Sequence, residues 1–160
     1  MIRLVLLRHA AAEAARPGLS DIDRPLSPKG RAEALDAGRC ILAARLRIDW
    51  LLVSPALRAR ATATLVAAEL DRSEPVHIES ALYPGKPDEI LQSLRRSAPG
   101  VGSVLMIGHN PGLSELAQRF HRVQPPIELR TAGICCIEFD EHASWARLRP
   151  ELAARVTVLR

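Results

Sequence analysis

The stretch Ile2-Arg3-Leu4-Val5-Leu6-Leu7-Arg8-His9 is an apolar run that stops on an arginine and a histidine. A short continuous apolar run of this kind suits a strand buried on both faces, as in a parallel sheet covered by helices. Open α/β sheets bind ligands outside the carboxyl ends of their strands, and a guanidinium beside an imidazole there suits a phosphoryl group. Two further runs end in similar chemistry. Trp50-Leu51-Leu52-Val53 leads into Ser54-Pro55-Ala56-Leu57-Arg58, and Val104-Leu105-Met106-Ile107 leads into Gly108-His109-Asn110-Pro111-Gly112.

Outward from these runs, apolar strands alternate with amphipathic segments, the pattern of an α/β fold. The expected architecture is a three-layer α/β/α sandwich with an open, mostly parallel sheet and an antiparallel C-terminal hairpin at its edge. Ser27 is placed to cap a helix over residues 28–46, with Leu35, Cys40, Ile41, Leu42 and Leu46 available to its apolar face. A second helix is expected from Ser54-Pro55 to about Leu70, with proline at the first helical position and Arg58 in the first turn. A short strand over 76–78, a helix over 87–97, a break at Pro99-Gly100, a central strand over 104–107 and a helix over 113–121 come next. Residues 133–139 and 144–148, flanking Asp140-Glu141-His142-Ala143, read as the two arms of the hairpin, and the segment after them is of undecided type.

A chain of 160 residues suits one domain, residues 1–160, with a single site. No apolar stretch approaches the roughly 20 residues of a membrane helix, and Met1-Ile2-Arg3 leads straight into a strand, so a cytoplasmic protein with no membrane partner is expected. Lys and Arg number 22 against 18 Asp and Glu, a net charge of +4, without a run of five cations and with few aromatics; a nucleic-acid partner is not expected. Cys40, Cys135 and Cys136 lack metal-binding spacing and read as small buried apolar residues, and no metal is expected.

Taken together, these segments make the chain resemble the histidine phosphatase superfamily, the phosphoglycerate mutase-like group, and in particular its short bacterial phosphohistidine phosphatase branch. The likeness rests on Leu6-Leu7-Arg8-His9-Ala10, on Asp21-Ile22-Asp23-Arg24-Pro25-Leu26-Ser27-Pro28-Lys29-Gly30, on Ser54-Pro55-Ala56-Leu57-Arg58-Ala59-Arg60-Ala61-Thr62, and on Gly108-His109-Asn110-Pro111. These segments occur in the family's order across most of the chain.

The resemblance implies that His9 accepts the phosphoryl group while Arg8, Arg58 and His109 hold it, with no cofactor. Phosphoryl transfer spreads charge over three oxygens, so catalysis is mostly positioning and electrostatics, which planar guanidiniums can supply without a metal. His9 must present one nitrogen to phosphorus while a partner, expected to be a backbone carbonyl, fixes the other. Arg24 reads equally as a site-edge residue or as half of a loop ion pair, and Ser54 as a helix cap with a phosphate contact as the lesser reading. Arg60 and Thr62 read as helix-face and packing residues, and His77, His121 and His142 as solvated or structural.

The general acid found in many superfamily members is not in evidence, because Ala81 stands near its expected place. Glu79, Asp88 and Glu13 are candidates, with Asp21 and Asp23 also approaching from the first loop. A phosphohistidine needs a dedicated acid less than an alkyl phosphate does, because its P–N bond is already labile. Alanines at 11, 12 and 14 stand where the mutase and bisphosphatase branches carry threonine and asparagine, and the short chain leaves little to cover the site. The reading is therefore a metal-independent phosphatase that removes phosphate from histidine on a phosphocarrier or phosphotransfer protein, through a phospho-His9 intermediate, releasing inorganic phosphate. The alternatives are a small-molecule phosphomonoesterase and a catalytically silent phosphate-binding module.

Overall fold

The computed structural model describes residues 1–97 and 100–160, so the expected break at Pro99 lies outside the described residues. Among the described residues six strands form one sheet: β1 (Arg3–Arg8), β2 (Trp50–Val53), β3 (His77–Ile78), β4 (Ser103–Gly108), β5 (Ile134–Phe139) and β6 (Ala153–Val158). Their spatial order is β3-β2-β4-β1-β5-β6. The first four are mutually parallel, and β5 runs antiparallel to both β1 and β6. The fold is thus mixed α/β, with a mostly parallel sheet and an antiparallel edge.

Alternation along the central strands builds two cores from one sheet. Leu4, Leu6, Leu52, Val104 and Met106 face one side, where α3 (Pro87–Ser97) and α4 (Gly112–His121) cover them with Ile90, Leu94, Leu113, Leu116 and Phe120. Val5, Leu7, Leu51, Val53, Leu105 and Ile107 face the other, beneath α1 (Pro28–Ala43) and α2 (Leu57–Glu69). Helices on both faces are what make the strand sequences continuously apolar.

Several boundaries differ from the sequence reading. Helix α1 ends at Ala43, and its buried face is Gly30, Ala34, Ala37, Gly38 and Ile41; Leu42 is 50% exposed, and Leu35, Cys40 and Leu46 are half-buried. Close packing against α2 and against the segment after β1 selects the small residues. A Cβ on Gly38 would lie 2.6 Å from that of Glu69 on α2, and one on Gly30 would lie 1.9 Å from the Ala11 carbonyl oxygen. Ser27 does cap α1, accepting from the Gly30 N–H at 3.0 Å, an interaction worth about 1 kcal/mol.

Helix α2 begins at Leu57 with Ala56 as its N-cap, so Ser54 and Pro55 lie in the preceding turn, although Arg58 remains in the first turn. The hairpin needs the larger correction. Residues 144–148 hold a 3₁₀ turn (Trp145–Arg147), and the strand paired with β5 is β6, the segment of undecided type. Trp145 and Leu148 are 4% and 0% exposed, and the Trp145 indole N–H donates to the Val101 carbonyl at 2.6 Å. Filling the core and satisfying the indole in a turn outweighs extending the apolar run as a strand. The cysteines are buried at Cys135 and Cys136, but Cys40 is only half-buried.

Register aligns the strand tips. Arg8 pairs with Gly108, and Val53 with Ile107, so β1, β2 and β4 end nearly level. The His9 N–H then donates to the Gly108 carbonyl at 3.0 Å, and the Ser54 N–H to the Ile107 carbonyl at 3.0 Å. Ser54, His9 and His109 each directly follow a strand in three adjacent positions.

Candidate active site

Those strand tips open into a cavity of about 550 Å³ lined by Arg8, His9, Asp21, Arg24, Arg58, Tyr83, Pro84, His109 and Asn110. Its inner wall is almost dry: His9, Arg58 and His109 are 8%, 4% and 6% exposed. The rings of His9 and His109 lie 4.9 Å apart, between centroids.

Hydrogen-bond chemistry fixes the protons on both rings. His9 Nδ1 lies 2.7 Å from the Ala10 carbonyl oxygen, which can only accept, so Nδ1 carries the hydrogen. Its Nε2 keeps a lone pair and accepts from Arg58 Nε at 3.3 Å. The partner of the ring is thus a backbone carbonyl, as expected from the sequence. On His109 the pattern is reversed. Nδ1 lies 3.4 Å from Arg58 Nη2, a pure donor, so Nδ1 accepts and Nε2–H donates to Ser54 Oγ at 2.7 Å. Ser54 Oγ also accepts from the Ala56 N–H at 3.2 Å, so the hydroxyl holds the turn before α2 and a histidine together, without being the helix cap.

Both rings are neutral. Burial, with a smaller push from the Arg58 and Arg8 charges, lowers the His9 imidazole to about 4 against the opposing Ala10 carbonyl. Burial first, then His9 and Arg58, lowers His109 to about 3.

Arg58 is the hub of the wall. Besides the two histidines, its Nη1 donates to the Asp21 carbonyl at 2.7 Å and its Nη2 to Asp21 Oδ2 at 3.1 Å. Its own helix turn is tied to the His9 loop by Thr62, whose hydroxyl donates to the Arg58 carbonyl at 2.7 Å and accepts the Ala10 N–H at 3.1 Å. Thr62 is fully buried, and it acts as a bracket rather than as a packing residue alone. Arg8 is steadied from below, Nη1 donating to the Leu129 carbonyl at 3.1 Å. The same oxygen accepts Asn110 Nδ2 at 2.7 Å.

The outer wall is built differently. The segment between β1 and α1 folds back through an Ala12–Leu26 bridge and presents Asp21 and Arg24 at the mouth. Arg24 donates to Asp21 Oδ1 at 3.0 Å and to the Glu13 carbonyl at 2.8 Å, so it is at once a cavity residue and half of a loop ion pair. Tyr83 donates to Asp21 Oδ2 at 2.8 Å and meets His109 edge-on at 5.4 Å. Tyr83 first, and then Arg58 and Arg24, hold the Asp21 carboxyl down to about 2.

Of the three leading acid candidates, the structure brings none to the cavity lining. Glu79 accepts the Ala81 N–H at 3.0 Å at a 3₁₀ turn, Asp88 pairs with Arg119 at 2.5 Å, and the Glu13 contact with Arg24 is through backbone. Asp21 is the carboxylate among the described lining residues. The sequence offered Asp21 only as one of several acids in its loop, and gave no signal for Tyr83. The Ser54–His109 and Thr62–Ala10 ties were not foreseen either, although both residues stand in the motif that carries Arg58. His77 stacks on Trp50 at 3.6 Å, away from the cavity. Among the described residues no group of three or more His, Cys, Asp or Glu side chains could hold a metal ion, and no helix is long and apolar enough to cross a membrane.

Comparison with known proteins gives the family and the fold. Residues 4–83 match the family model described as histidine phosphatase superfamily (branch 1). An uncharacterized protein of Mycobacterium tuberculosis is 31% identical, over 94% of this chain and 96% of its own. The phosphohistidine phosphatase SixA of Escherichia coli K12 is 29% identical, over 88% of this chain and 87% of its own. The structure of the protein histidine phosphatase SixA complexed with tungstate superposes with a TM-score of 0.77 at 27% identity, over 88% of this chain and 90% of that one.

Proposed function

The chain belongs to the histidine phosphatase superfamily, and we propose that within it the protein is a metal-independent phosphatase acting on phosphohistidine carried by a protein, through a phosphoenzyme on His9. The observation that carries this reading is the His9 ring. Its Nδ1–H is committed to the Ala10 carbonyl, so the nitrogen left with a lone pair, Nε2, is the one beside Arg58 in a cavity that Arg8 and Arg24 also line. A nucleophile that is neutral at pH 7 and faces guanidiniums is matched to a phosphoryl group.

The chemistry proceeds in two displacements. His9 Nε2 forms a bond to phosphorus while the P–N bond to the substrate imidazole breaks, and that imidazole departs with a proton on the released nitrogen. Arg8 and Arg58 hold the equatorial oxygens, Arg58 exchanging its contacts with His9 Nε2 and with Asp21 for the phosphoryl group, which frees the Nε2 lone pair. The dianion also offsets the Arg58 charge that adds to burial in keeping His109 neutral, favouring proton uptake at Nδ1, which then donates to an oxygen or to the departing nitrogen. Water next attacks phosphorus, the P–Nε2 bond breaks, and inorganic phosphate leaves.

The leaving group supports the phosphohistidine reading over a phosphomonoester. Alkoxide departure needs an acid, whereas Asp21, on the lining, is held ionised first of all by the hydrogen bond from Tyr83. The likeness to SixA phosphohistidine phosphatases supports the same substrate class.

The test compares a phosphohistidine protein with an alkyl phosphomonoester such as phosphoserine in the presence of chelator, for wild type and His9→Ala. Metal-free release from phosphohistidine, an acid-labile phosphoenzyme trapped by rapid quench, and loss of both by at least about a thousandfold in His9→Ala are expected. Faster turnover of the ester would favour the phosphomonoesterase. Phosphate binding without turnover of either would favour the silent module.

A further inference from the structure

Beside the catalytic cavity lies a second concavity of about 530 Å³, between α4 and the segment before β5. It is lined by Asn110, Pro111, Ser114, Glu115, Gln118, Pro126, Ile127 and Glu128. Asn110 lines both, so the two adjoin. We propose that this groove is the docking site for the polypeptide flanking the phosphorylated histidine, and that it selects flanks carrying an apolar side chain together with a lysine or arginine. The inference rests on the protein-substrate reading above and adds to it which proteins are accepted.

Three observations carry it. The first is size. A phosphorylated imidazole needs only the first cavity, and a neighbouring trough of nearly equal volume has no use for a small anionic metabolite.

The second is charge. The catalytic cavity is lined by Arg8, Arg24 and Arg58 against the one carboxylate of Asp21, whereas the groove has Glu115 and Glu128 and no cation among its described lining residues. Arg119, the residue after Gln118 on α4, is paired with Asp88 on α3 and interacts with Glu115 at longer range, so Glu128 is the carboxylate of the pair that Arg119 leaves alone. In a chain of net charge +4, an acidic trough next to a basic pocket fits a ligand that is anionic at one end and cationic beyond it. Pro111, Pro126 and Ile127 supply the apolar floor between.

The third is preorganisation. The outer wall is pinned to α4 and the turn before it at three points: Ile127 N–H donates to Gln118 Oε1 at 2.8 Å, Leu129 N–H to Ser114 Oγ at 2.9 Å, and Asn110 Nδ2 to the Leu129 carbonyl at 2.7 Å. A groove that is already open does not spend binding energy on being formed. That Leu129 carbonyl also holds Arg8, so the docking wall and the phosphate pocket share a support.

The probes are phosphoimidazole and two synthetic phosphohistidine peptides, one with Leu and Lys beside the phosphorylated residue and one with Glu replacing the Lys. Wild type is expected to favour the Lys peptide about tenfold in kcat/KM, carried by KM, with the ratio shrinking in high salt. Glu115→Lys with Glu128→Lys is expected to bring that ratio below one. Equal kcat/KM for the two peptides overturns the inference. Failure of wild type on phosphoimidazole and on both phosphohistidine peptides overturns the substrate reading instead. The groove is then judged by NMR alone, with the unphosphorylated Lys peptide: shifts at the Ile127 methyl that the Glu peptide does not cause support it, and identical responses sink it.

Discussion

The inner and outer walls of the cavity are made by different means. His9, His109 and Ser54 each follow a buried strand, and their partners are backbone carbonyls, hydroxyls and one buried guanidinium. Asp21 and Arg24 come from a long connection, and with Tyr83 they are joined by ion pairs and a phenol at the solvent edge, the Asp21 side chain being 53% exposed. Strand register and close packing hold the inner wall rigidly, whereas the outer wall is held by contacts that water can replace. The inner wall is therefore suited to chemistry that tolerates little displacement, and the outer wall to admitting and releasing a substrate.

Arg58 bridges the two walls, so altering it should break the comparison most severely. Arg58→Lys keeps the charge but loses the planar fork that reaches His9, His109 and both the carbonyl and the carboxylate of Asp21. A loss on the order of a thousandfold in kcat on phosphohistidine is expected, with far-ultraviolet circular dichroism unchanged. A loss below about tenfold would mean that charge alone is enough and the fork is dispensable.

The legibility of the sequence divides along the same line. Arg8, His9, Arg58 and His109 could be picked out because each sits at a fixed offset from an apolar run, and register then decides where the offset lands. Asp21 could not be singled out among the loop carboxylates, because the path of that loop is set by the Ala12–Leu26 bridge and by the Arg58 and Tyr83 contacts, none of which has a periodic signature. The same reason explains the misplaced hairpin arm. An apolar segment around Trp145 looks like a strand until the core that receives it is known, and β6, with its half-buried and exposed residues, has a weaker pattern than the turn before it. Small-residue packing on α1 was also missed, since hydrophobicity does not register how closely Gly38 must approach α2.

Acid should separate the walls next. The two buried imidazoles sit at about 4 and 3, below the 6.5 of an exposed histidine. At pH 5 the unfolded chain would therefore bind more protons at these groups than the native one, so stability rises with pH across this window. Their full contribution is present above about 6.5 and is lost as pH falls toward 4. NMR titration of the ring protons should give midpoints near those values, and urea midpoints should drop between pH 7 and pH 5 less in a His9→Gln, His109→Gln double variant than in wild type. Ring titration near 6.5 would mean that the inner wall is wet.

The smallest effect is expected at the outer wall, from Asp21→Asn. The carboxylate now occupies Arg58 as a resident anion, accepting from Tyr83 and Arg24 as well. An incoming phosphoryl group competes with it for the same N–H donors. Removing the charge should let inorganic phosphate bind a few-fold more tightly by calorimetry, by the weight of one partly solvated ion pair. Turnover of phosphohistidine should change less than about threefold, because a carboxyl held at about 2 is not a proton source at neutral pH. If instead ester hydrolysis alone fell tenfold or more, Asp21 would be taking up a proton once phosphate displaces it from Arg58. The outer wall would then belong to the chemistry as fully as the inner one.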